Sequence, residues 1–203
     1  VSTRDVSTIR DALREAVERA DTAADTFVEE VAACPDKKVV PLVLDALRTG
    51  GHGVQQAVVR GLAKNADAGA LDATIKALED ERDPGVKVLL LRACGRSTLP
   101  AATAALVDAL GSLSPDGARV AWSLLALRPA PELAAQQGKL ARAARGLGGL
   151  ADFHARTALA LASGQPAPPA VGLETKDGAF LPDRYVAGGV AFVVDTQRDM
   201  DAA

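Results

Sequence analysis

At 203 residues, 48% of them hydrophobic, the chain holds enough apolar material for a sizeable core, yet only 3% is aromatic, so that core is built of Ala, Leu and Val. Such small side chains let helices approach closely and suit stacked helical layers better than a β-sandwich. A net charge of −3 and a pI near 5.4 give no electrostatic footprint for nucleic acid, and no apolar run approaches the roughly 18 residues that span a bilayer.

From the N-terminus, Ile9, Leu13, Ala16, Val17 and Ala20, then Ala24, Phe27, Val28 and Val31, recur at helical spacing. Residues 1–33 carry eight acidic and four basic side chains, the polar outer face that a terminal unit of a stack needs. The first five residues lack the basic and apolar regions of a signal peptide. Cytoplasmic placement is therefore expected, although the chain begins without Met and a removed signal segment stays open. Pro35 interrupts, and a helix pair follows over roughly 38–49 and 54–65 about a Gly50-Gly51-His52-Gly53 turn, whose glycines are expected to supply a left-handed helix cap. Pro84, Pro100, Pro115 and Pro131 then recur at steps of 16, 15 and 16 residues. Proline is favoured in the first helical turn, where its missing N–H has no partner anyway, and Asp83 and Ser114 offer N-cap oxygens, so these prolines mark helix starts. Leu71, Ile75 and Leu78, and then Ala102, Leu106, Ala109, Leu110 and Leu113, define two further first helices. A last pair is expected over roughly 132–145 and 150–163, with Gln137 where an apolar residue belongs and a Gly146–Gly149 turn between.

Three second helices repeat one another. Val54 to Leu62, Val86 to Cys94 and Ala118 to Ala126 align at an offset of 32 residues. Units of this length cannot bury their own apolar face and must stack on copies of themselves. Trp122 stands at the place of Val58 and Leu90, and Cys94 at that of Leu62 and Ala126, so both belong to the core. Cys34 lies about two units from Cys94, beyond disulfide reach. With Asp45-Ala46-Leu47 and Asp108-Ala109-Leu110 in first helices and Arg60 and Arg92 in second helices, residues 1–164 resemble HEAT repeats of the short bacterial HEAT-like kind. The resemblance implies an all-α fold, a right-handed α-solenoid of about five antiparallel helix pairs. Proteins of that kind are scaffolds, receptors, regulators and occasionally enzymes.

After Gly164 the character changes. Residues 165–189 open with Gln165-Pro166-Ala167-Pro168-Pro169-Ala170, a semi-rigid linker. Val190 to Val194 reads as one short apolar strand, which must be covered in cis or by another chain because an exposed edge invites aggregation. Residues 190–203 resemble the first strand of a von Willebrand factor type A domain. Asp195 matches the Asp of the Asp-x-Ser-x-Ser motif, while Gln197 and Asp199 replace its serines, so no metal ligand is assigned. That resemblance implies the start of a truncated α/β domain, with the helical array as its N-terminal spacer or regulatory arm.

No residue is assigned to catalysis, a cofactor or a metal: His52, His154 and the two cysteines lack ligand spacing, and no nucleophile elbow is present. Two ladders are candidates for binding. Lys64, Arg96 and Arg128 recur at 32-residue steps where second helices end; cations there also offset the helix macrodipole. Gln55, Lys87 and Arg119, continued approximately by His154, lie one residue into the same helices, and charge is also the default on a solvated face. The expected function is a non-enzymatic scaffold that binds a protein or peptide on the second-helix face, or self-associates through 190–194. No nucleic acid, membrane insertion or cofactor is expected. A DNA glycosylase on a HEAT-like array needs a basic groove and aromatic side chains, which this composition opposes.

Overall fold

The structure, a computed structural model, describes residues 3–166 and, beyond them, the backbone of four short segments. Eleven α-helices come first among the described residues: α1 (Thr3–Arg19), α2 (Thr22–Ala32), α3 (Val40–Thr49), α4 (His52–Lys64), α5 (Ala68–Asp80), α6 (Pro84–Arg96), α7 (Ala101–Ala109), α8 (Pro115–Leu125), α9 (Ala130–Ala134), α10 (Gln137–Ala143) and α11 (Gly149–Ala162). A short 3-10 turn, Leu110–Ser112, ends α7. The array is all-helical. The later segments pair as antiparallel ladders, Gly172–Glu174 with Phe180–Pro182 and Arg184–Ala187 with Val190–Val193. Their side chains, the linker residues 167–171, and Val194, Asp195, Gln197 and Asp199 lie outside the described residues. No helix among the described residues is long and apolar enough to cross a membrane.

Helix starts follow the sequence signals. The backbone N–H of Val86 donates to Asp83 Oδ1 at 2.9 Å and that of Gly117 to Ser114 Oγ at 3.2 Å, with Pro84 and Pro115 as the first helical residues behind them. Asp21 and Asp67 cap α2 and α5 in the same way, each at 2.7 Å. Each oxygen satisfies a donor that the first turn leaves without an intrahelical partner. Two expectations need correction. Gly50 is not left-handed (φ −80°); it is glycine because a Cβ there would lie 2.5 Å from Val54 and 2.7 Å from the Ala46 carbonyl, and the helix beyond it already begins at His52. The single helix expected over 132–145 is two, α9 and α10, parted at Ala135 and Gln136. Leu133 and Leu140 are the fully buried residues of this stretch, and Gln136 and Gln137 stand where an apolar stripe would hold the middle turn, so packing does not sustain one rod.

Two files of helices result. α2, α4, α6, α8 and α11 touch in succession, as do α1, α3, α5, α7 and α10, and the core lies between the files. The α2–α11 file is packed closely. A Cβ on Gly61 of α4 would come within 2.4 Å of both Ala32 Cβ and the Glu29 carbonyl, and one on Gly95 of α6 within 2.7 Å of Leu124. The other file is more open, with a groove of about 480 Å³ between α1 and α3 and a smaller one of about 150 Å³ between α5 and α7, against one of about 120 Å³ between the starts of α6 and α8 in the first file. Trp122, Leu90 and Leu91 are buried at the centre, as their places in the repeat require, and so is Cys94. Both cysteines are free. Polar contacts between units span one repeat: Arg60 to Glu29 is 31 residues, Arg48 to Glu81 33, and Lys139 to Asp108 31.

Candidate binding surface

On the close-packed file, charge gathers at the C-terminal halves of α4 and α6. Arg60 and Lys64 are four residues apart on α4, and Arg92 and Arg96 hold the same places on α6. The 3.6-residue turn brings each pair to one helix face. The Glu29 carboxylate on α2 bridges the first pair, accepting from Arg60 Nε at 2.6 Å and Lys64 Nζ at 2.5 Å. Hydrogen bonds from Lys64, then Arg60, hold its pKa below the ordinary carboxylate value against a smaller opposing push from burial. Lys64 nonetheless keeps 66% of its side-chain surface exposed. Arg96 is exposed and makes no ion pair among the described residues.

The third rung differs, and the expected Lys64–Arg96–Arg128 ladder is corrected here. Arg128 is 7% exposed. α8 ends at Leu125, three residues short of where the repeat would end it, so Arg128 sits on the following turn and folds inward. Its guanidinium donates to the carbonyls of Gly95 (3.4 Å), Ser97 and Leu99 (3.1 Å), to Thr103 Oγ1 (2.7 Å) and to Glu132 Oε2 (2.7 Å). Thr103 in turn donates to Glu132. Burial pushes the Glu132 carboxyl upward, but the hydrogen bonds from Thr103 and Arg128 outweigh it, and the pKa lies below the ordinary value. Arg128 is thus a bolt between successive units. Asn65 is the corresponding bolt between the preceding units, donating to the carbonyls of Cys34 (2.8 Å) and Ala32 (3.2 Å). Beside Arg128, Leu127 is left 53% exposed, the one large hydrophobic so exposed among the described residues. Sequence reasoning missed it because the apolar run of α8 makes it look like one more core leucine.

The second ladder also changes. Gln55 donates to the Leu47 carbonyl at 3.2 Å and so closes the end of α3. Lys87 lines the small groove with Ile75 of α5 and Ala105 of α7, and Arg119 is half-buried. Of the three, Gln55 is turned toward the other file, and Lys87 also lines a small cavity between the starts of α6 and α8. His154, expected to extend the series, is 4% exposed and packs edge-on to Phe153 at 5.6 Å between ring centres. The buried Phe153, Ala155, Thr157 and Ala158 around it place that turn of α11 in the core.

Other chemistry is limited. Burial pushes the Cys94 thiol up to about 12, which keeps it protonated and inert. No group of His, Cys, Asp and Glu among the described residues is arranged to hold a metal. The α1–α3 groove is walled by Leu13, Val17 and Leu42, and Arg10, Arg14, Glu18 and Asp45 also line it. Its remaining cation, Arg48, is tied to Glu81 at 3.0 Å, so the groove carries no net sign. Comparisons with family models, curated proteins and solved structures find no match to this chain.

Proposed function

We propose that this chain is a HEAT-like, right-handed α-solenoid that acts by binding, taking a protein or peptide on the exposed face of its second helices. The observation that carries the reading is the repeated basic pair, Arg60 with Lys64 and the half-buried Arg92 with the exposed Arg96, on helices that touch. A file packed through glycines on one side and opened by grooves on the other suits a stack that curves with its second helices inward, and such stacks use the inner surface for extended contacts. Against a chain of net charge −3, the patch is a local reversal of sign that would steer an acidic partner.

A photo-cross-linking side chain placed at Gln56 on α4, or at Leu42 on α3, tests the face in an extract of the source cells. Adducts formed from position 56 and suppressed by Arg60→Glu with Lys64→Glu are expected. Adducts formed only from position 42 would move the function to the α1–α3 groove and overturn the reading.

A further inference from the structure

Resting on that reading, we propose a more defined site: the edge formed by Lys64, Arg96 and Leu127 takes an acidic peptide in extended conformation, two carboxylates followed by a large apolar side chain. Three observations carry it. The bolt formed by Arg128 grips the carbonyls of Gly95 and Ser97, the residues on either side of Arg96. Leu127 is its immediate neighbour in the chain, on the turn that ends α8, and α8 touches α6, so the exposed leucine stands at the end of the next helix beyond the exposed arginine. Lys64 ends α4 as Arg96 ends α6, and the two helices touch, which sets these cations one helix spacing apart. Finally, Glu29 already shows the α4 cations receiving a carboxylate from a neighbouring segment. The lysine keeps donors to spare and most of its surface in water.

Spacing fixes the ligand's pattern. Packed helices stand about 8–10 Å apart, and an extended chain advances about 3.3 Å per residue, so each step along the edge takes about three residues. The segment that fits has Glu or Asp at positions i and i+3 and Phe or Leu at i+6, or the same order reversed.

Fluorescence anisotropy with the full chain is the test. The probes are labelled Ser-Glu-Gly-Ser-Glu-Gly-Ser-Phe-Gly, its reversed sequence, a control with the two glutamates adjacent, and a form with Ser in place of Phe. One of the first two should bind about 10-fold more tightly than the control, roughly the effect of one well-placed contact. Arg96→Glu and Lys64→Glu should each weaken it about 5-fold or more. Leu127→Ser should weaken the Phe probe and leave the Ser probe unchanged, with far-UV dichroism showing all three variants folded. Equal affinity for the control, or a Phe probe indifferent to Leu127→Ser, overturns the site. If that happens while cross-linking from position 56 still depends on Arg60 and Lys64, the edge falls and the second-helix face stands. If both fail, both readings fall.

Discussion

Arg128 shows how one side chain can change its role without changing its place in a repeat. It aligns with Lys64 and Arg96, but its guanidinium is spent on carbonyls, a hydroxyl and the Glu132 carboxylate. Arg128→Ala should cost about 1–3 kcal/mol, because it leaves the buried carbonyls it binds without their donor, while Glu132, with 17% of its side chain exposed, can be hydrated in place. The pH dependence identifies the mechanism. In the parent chain the Glu132 pKa lies below its ordinary 4.5, so this group's contribution is fully present above that value and is lost as pH falls through the lowered one. In the variant the hydrogen bond and charge of Arg128 are gone while the Thr103 hydrogen bond remains, so the pKa moves up and less stability is lost as pH falls. Urea unfolding at about pH 7 and about pH 4 should therefore show the gap between the two proteins narrowing in acid. A gap independent of pH would mean that Arg128 acts through its carbonyl contacts alone.

Between helices, the glycines decide how closely the units meet. Gly61 faces backbone as well as Ala32, and backbone cannot swing aside as the end of a flexible side chain can. Gly61→Ala should destabilise by about 1–3 kcal/mol, the range for overpacking a filled core, even though alanine is the better helix former. Gly138 of α10 has no atom within 4 Å of a Cβ, so Gly138→Ala should stabilise by up to about 1 kcal/mol through propensity alone. Opposite shifts in the urea midpoint check the pair, and a shift of the same sign would remove the close-approach account. Both glycines look alike in the sequence. The helix starts, by contrast, were legible, because Asp83-Pro84 and Ser114-Pro115 act through bonds within one turn, where the chain itself is the environment. Gly50 was misread for the converse reason: its requirement comes from Val54 and the Ala46 carbonyl, and a rule about left-handed caps does not contain them.

At the scale of the whole stack, the 32-residue offset revealed which positions are core, since burial repeats with the unit: Val58, Leu90 and Trp122 are all at most 1% exposed. It could not reveal where the repetition stops. α8 ends early, which turns Arg128 inward and brings Leu127 out. His154, placed on the ladder only approximately, fell among buried neighbours instead. Such departures arise where a unit meets a different neighbour, and the C-terminal end is where that happens. The same reasoning predicts how stability is distributed. In a stack each unit is held by the two it touches, so α4, α6 and α8, with close-packed neighbours on both sides, should carry the slowest-exchanging amides. α9 and α10, of five and seven residues, are too short to hold their own hydrogen bonds and are anchored mainly by Leu133, Leu140 and the Glu132 contacts. Their amides should exchange about 100-fold or more faster than those of α6. The difference should shrink toward a single common rate as urea brings global unfolding within reach of local opening. Equal protection of α9, α10 and α6 in the absence of urea would show the array opening as one cooperative block, not as a row of units.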